Sequence, residues 1–72
     1  SKLNRVVKTL EGDEQKIYKM ISDADGSIFQ NDLIAKTGYS KVKVSRILDR
    51  LETKGVVERR RRGMSNIVVL KL

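Results

Sequence analysis

Leu33-Ile34-Ala35-Lys36-Thr37-Gly38-Tyr39-Ser40-Lys41-Val42-Lys43-Val44-Ser45-Arg46-Ile47-Leu48-Asp49-Arg50-Leu51 is the stretch from which the fold follows. It breaks at Gly38, a residue suited to the left-handed backbone that ends a helix. Ser40 stands two residues later, where a new helix needs an N-cap. Before the break, Leu33 and Ile34 are expected to face inward from a helix over 30–37, and Ala35 is small enough for close helix approach. After it, Val44, Ile47, Leu48 and Leu51 have the i, i+3, i+4, i+7 spacing of one buried stripe. They predict a helix over 41–54 that ends at Gly55, with Lys54 in its last turn. A helix, a short turn with Gly and a capped second helix is the sequence form of a helix-turn-helix.

Toward the N-terminus, Asp13 to Asp23 predicts another helix. Gly12 or Asp13 can cap it, Ile17, Met20 and Ile21 share a face, and Leu10 closes its entrance. Asp23-Ala24-Asp25-Gly26-Ser27 is a turn cluster. Ser27-Ile28-Phe29 then reads as a short extended piece that needs a partner strand. Residues 1–10 carry weak helical spacing at Leu3, Val6, Val7 and Leu10, which fits a short helix, a lead-in or the end of a linker. Toward the C-terminus, Val56-Val57-Glu58-Arg59-Arg60 and Asn66-Ile67-Val68-Val69-Leu70-Lys71-Leu72 read as two strands, and Arg61-Arg62-Gly63-Met64-Ser65 as their loop. The expected fold is therefore α+β. It is a winged helix-turn-helix over 11–72, with a three-helix core, a short strand between the first two core helices, and a C-terminal β-hairpin wing over 57–69.

Charge is distributed unevenly over this frame. Residues 1–40 hold six Lys/Arg and six Asp/Glu, whereas residues 41–72 hold ten and three, so the second part carries the whole net charge of +7. An excess confined to one part suggests a directed basic surface, although Lys and Arg also coat any solvated helix. Cys and His are absent. That removes disulfide frameworks, zinc-finger ligand sets, thiol nucleophiles and His bases together. No phosphate-binding Gly loop, carboxylate pair in an apolar setting or nucleophile–base pair is present, so no enzyme activity, metal or cofactor is expected. Asp23 and Asp25 beside Gly26 lack the spacing of a calcium loop. No apolar run approaches the roughly 20 residues that span a bilayer. The chain starts at Ser1 without Met, which leaves open that it is a fragment.

The candidate contacts lie on two elements. With the stripe of the 41–54 helix buried, its opposite face holds Val42, Arg46 and Asp49, flanked by Lys43, Ser45 and Arg50. Arg46 suits a bidentate contact to a guanine edge, Ser45 a base edge or phosphate, and Val42 a thymine methyl. A lone exposed Val is also common on protein surfaces. Arg59, Arg60, Arg61 and Arg62 put four guanidinium groups in sequence at the hairpin. Strand alternation sends them to both faces. One or two such charges would guard a strand edge against aggregation. Four favour a polyanion, with Arg in a minor groove or along phosphate. Gln30 and Asn31 stand at a helix start, where they either approach phosphate or cap the helix. Tyr39 either reaches phosphate with its hydroxyl or packs its ring over the helix pair. Tyr18 and Phe29 are expected in the core.

The run from Gln30 to Arg59 resembles the MarR-like winged-helix superfamily, in the form of its small archaeal regulators. Thr37-Gly38-Tyr39-Ser40, Val44-Ser45-Arg46-Ile47-Leu48 and Leu51-Glu52-Thr53-Lys54-Gly55-Val56-Val57 carry the resemblance. It implies that Ser40, Lys41, Lys43, Ser45, Arg46 and Arg50 face DNA, with the Arg59–Arg62 wing on backbone or minor groove. It also implies a transcription regulator acting in the cytoplasm at the nucleoid. The helices that build the dimer in that family do not match here, so any homodimer would use segments outside this chain or at its N-terminus. Some archaeal relatives append such a domain to a membrane-anchored protein, so a membrane-anchored parent is one expectation. No small-molecule ligand is evident. A protein-interaction module of a replication or transcription assembly is the alternative. RNA binding ranks third, because base-stacking aromatics are few.

Overall fold

The elements form in the expected order around one apolar cluster. The computed structural model describes residues 2–71; the Leu3 side chain and Leu72, both invoked above, lie outside what it describes. Helix α1 (Lys2–Lys8) is followed by α2 (Gly12–Asp23), β1 (Ser27–Phe29), α3 (Gln30–Thr37), α4 (Lys41–Thr53), β2 (Val57–Arg62) and β3 (Ser65–Leu70). The three strands make an antiparallel sheet in the order β1-β3-β2. Ile28 lies opposite Val68, and Arg61 opposite Asn66. The fold is the winged helix-turn-helix expected from the spacing, with one helix more.

Ile17 and Ile21 of α2, Leu33 of α3, and Val44, Ile47, Leu48 and Leu51 of α4 are buried together with Val56, Val57 and Val68. Each such side chain contributes about 1.5–3 kcal/mol by leaving water, which is how so short a chain holds a core. Leu10, just after α1, is buried in the same cluster, and Val6 and Val7 pack against it. The lead-in is thus a helix and lies on the core.

The turn between α3 and α4 is built as its residues require. Gly38 takes a φ of +71°, and its N–H returns to the Ile34 carbonyl at 3.0 Å. The Thr37 hydroxyl donates to the Leu33 carbonyl and accepts from the Tyr39 N–H, at 2.7 and 3.2 Å. Ser40 then caps α4, its Oγ accepting from the Lys43 N–H at 3.1 Å.

Four local expectations are corrected. Phe29 is 42% exposed and not in the core. With only three residues in β1, Ile28 takes the inward position and alternation turns Phe29 outward. Ala35 is exposed, on the outer side of α3. Helix α2 starts at Gly12 and has no side-chain cap; Glu11 holds the cap position, and Asp13 is engaged elsewhere. The wing turn is tighter than expected: Arg62 pairs with Ser65, leaving Gly63 and Met64 as a two-residue connection. Gly63 has a φ of +60° and Met64 does not share it, the pattern of a II′ turn.

Candidate nucleic-acid interface

Helix α4 presents a buried stripe, two flanks and an outer ridge. One flank faces α2. There Lys43 Nζ lies 3.5 Å from Asp13 Oδ2, and Lys54 Nζ donates to both oxygens of Glu14 at 2.6 and 2.8 Å. Tyr39 joins this flank: its hydroxyl donates to Asp13 Oδ1 at 2.7 Å, and its ring lies under Lys43 and Lys16 at 4.0 and 5.0 Å. The hydroxyl bond holds the Asp13 carboxyl below its usual pKa of 3.8; partial burial opposes this, and Lys43 adds to the lowering. Of the two readings of Tyr39, the geometry is that of ring packing over the helices.

The other flank faces the wing. Arg59 reaches back from β2 to Asp49 and Glu52 of α4, with its Nε 2.8 Å from Glu52 Oε1. The Arg59 backbone N–H also donates to Glu52 Oε2 at 3.1 Å, so one carboxylate holds both the side chain and the strand edge. Burial alone would lower the Arg59 pKa; the hydrogen bonds it donates to Asp49 and Glu52 outweigh this and hold it above the ordinary value. Further along this flank, Gln30 Nε2 donates to Ser45 Oγ at 2.9 Å. Gln30 is only 6% exposed, and its Oε1 has no hydrogen-bond partner among the described residues. Gln30 therefore neither caps α3 nor presents itself as a surface contact.

The ridge is different. Val42 is 59% exposed, Arg46 is exposed beyond it, and Arg50 is exposed where the ridge meets the α2 flank. Among the described residues neither arginine has an ion-pair partner. Val42, Lys43, Arg46 and Arg50 line an open groove of about 380 Å³ with Asp13, Ser40 and Ile47.

The wing's arginines divide by strand alternation. Arg59 and Arg61 lie on the helix side, and Arg60 and Arg62 on the outer sheet face. Arg61 donates from Nε to the Gly63 carbonyl at 3.0 Å and stiffens the turn. Arg61, Met64, Ser65 and Asn66 line a second groove with Gln30, Asn31 and Lys41. The wing tip and the starts of α3 and α4 thus share one side of the molecule. Arg60 meets Glu58 at 3.3 Å in an exposed pair of little energetic weight. Met64, at the tip, is 90% exposed.

The structure gathers Val42, Arg46 and Arg50 in one groove and Asn31, Lys41 and Arg61 in another, and all six residues are exposed. It engages Tyr39, Lys43, Ser45, Gln30 and Arg59 in internal bonds, and the Ser40 side chain in the α4 cap. Sequence reasoning missed the braces themselves: Asp13, Glu14 and Glu52, and Asn66 in the wing groove. Glu14 and Lys54 stand 40 positions apart, beyond any local spacing rule.

A solved structure of the oxidized form of MarR from E. coli superposes on this chain with a TM-score of 0.78 at 28% identity, covering 97% of the chain and 52% of MarR. An uncharacterized protein of Pyrococcus horikoshii (PH0614) is 42% identical over 55 residues, and one of Pyrococcus abyssi (PYRAB14350) is 40% identical over the same length. Each alignment takes in 76% of this chain and only 17% and 16% of those relatives, so the chain spans about a sixth of their length. Residues 9–71 match the family model described as Domain of unknown function (DUF7343). With most of its length inside that match and its helices and wing superposing on MarR, the chain belongs to the DUF7343 family and is a MarR-like winged helix-turn-helix domain.

Proposed function

We propose that this domain binds double-stranded DNA as the reading head of a transcription regulator, with α4 in the major groove and the wing on backbone or minor groove. The observation that carries the reading is the ridge: Arg46 and Arg50 keep no carboxylate partner among the described residues, while Lys43, Lys54 and Arg59 beside them are all neutralised. Unneutralised guanidinium groups on an otherwise braced helix suit a polyanion. Lys41 and Arg61 add two exposed cations in the wing groove. Arg46 takes the base edge; Lys41, Arg50, Arg61 and Arg62 take phosphate, with Asn31 beside them.

Selection of binding sites from random duplex DNA with the purified domain tests this. A shared motif should emerge, and affinity should fall with salt at a slope of roughly −0.9 per phosphate contact, about −3.6 for four. Recovery of no motif, with salt-independent binding, overturns the reading. The protein-interaction alternative gains support from one feature, the outward Phe29 lying opposite Ile67 on the sheet. Amide shifts on adding duplex DNA separate the two: α4 and the wing should respond, and shifts confined to α2 and the outer sheet face would favour the alternative.

The whole regulator's setting is also part of the proposal. It is placed in the cytoplasm at the nucleoid, with any homodimer formed through other segments or the N-terminal one. No helix among the described residues is long and apolar enough to cross a membrane.

A further inference from the structure

Val42 is the one ridge residue whose presence neither helix formation nor packing explains. It is 59% exposed and lies outside the set of side chains packed on the core. As a β-branched residue it forms helix less readily than Lys, Arg or Ala would at the same place. It stands one turn before Arg46, and both line the same groove.

Resting on the DNA reading above, we infer that Val42 reads the 5-methyl group of a pyrimidine beside the guanine read by Arg46. The major-groove floor offers an arginine the O6 and N7 of guanine, and offers an apolar side chain only the pyrimidine methyl. Four residues of helix rise about 6 Å, and base pairs stack about 3.4 Å apart, so the two contacts fall within about two base pairs. Thymine and 5-methylcytosine carry that methyl at the same ring atom. The pair therefore accepts either, and cytosine methylation at this position strengthens binding.

The test starts from a duplex selected with this domain. Each thymine is replaced singly by deoxyuridine, which removes only the methyl. One position, within two base pairs of the guanine whose replacement the Arg46→Ala variant no longer senses, should lose about fourfold in affinity, the worth of one buried methyl. At that position 5-methylcytosine should bind about fourfold better than cytosine. Both ratios should fall to one in Val42→Ser and persist in Val42→Ile. A thymine/deoxyuridine ratio of one throughout the site, or a ratio that survives in Val42→Ser, overturns the inference and leaves DNA binding standing. Failure to select any duplex overturns the DNA reading, and this inference with it.

Discussion

The flanks of α4 and its ridge carry the same residue types about one turn apart, and those residues are used differently. On the flanks, Lys43, Lys54 and Arg59 each meet a carboxylate from α2 or from α4 itself. On the ridge, Arg46 and Arg50 meet none among the described residues. Exposed ion pairs contribute only about 0–1 kcal/mol each, so the flank pairs matter less for stability than for aim. They bridge α4 to α2 and tie the root of the wing to the C-terminal turns of α4. A strongly basic half therefore overstates the charge available to a partner, because part of it is internal bracing.

The largest expected effect lies on the buried stripe, against which both other faces are measured. Leu48 is fully buried, so Leu48→Ala should lower unfolding free energy by about 2–5 kcal/mol in a denaturant titration. Arg46→Ala should leave that titration unchanged within about 0.5 kcal/mol. It should instead cost about 1–3 kcal/mol of DNA affinity and relax preference at one base pair. A stability loss in place of the affinity loss would place Arg46 among the braces.

Arg59 and Arg61 sharpen the comparison within one strand. Arg59→Ala should cost about 1 kcal/mol of stability, since Asp49 and Glu52 are themselves partly exposed and screened, and should leave the salt slope of DNA binding unchanged. Arg61→Ala should reduce that slope by about one and weaken all duplexes alike. Equal slope changes in the two variants would break the division between wing root and wing tip.

The smallest effect concerns Tyr39 and Asp13. With the folded carboxyl titrating below its unfolded value of 3.8, the stability it contributes is complete above that pH and declines as pH falls through the folded value. Tyr39→Phe removes the hydroxyl bond, so the Asp13 carboxyl, followed by NMR, should titrate closer to 3.8 than in the parent. An unmoved titration would show that Lys43, not Tyr39, governs this corner.

Much of the frame was legible because it is written in local spacing. The stripe Val44, Ile47, Leu48 and Leu51, the Gly38 turn and the Ser40 cap involve residues at most seven apart, where helix geometry alone decides who shares a face. Helix α3 over 30–37 and the start of α4 at Lys41 follow from them. Phe29 misled because aromatic character argues for burial, while a three-residue strand offers a single inward position and Ile28 holds it. Arg59 misled because a run of four arginines looks uniform until alternation and a neighbouring carboxylate separate its members.

From the amino-acid order alone came the helix-turn-helix, the hairpin and the location of the positive charge, since each depends on periodicity or composition within a short window. Tertiary structure alone decided which cations are neutralised. Asp13, Glu14 and Glu52 find Lys43, Lys54 and Arg59 only once packing of the apolar stripes has brought their elements together. Coulomb attraction in water acts over a few ångströms, and chain separation says nothing about which groups will come that close.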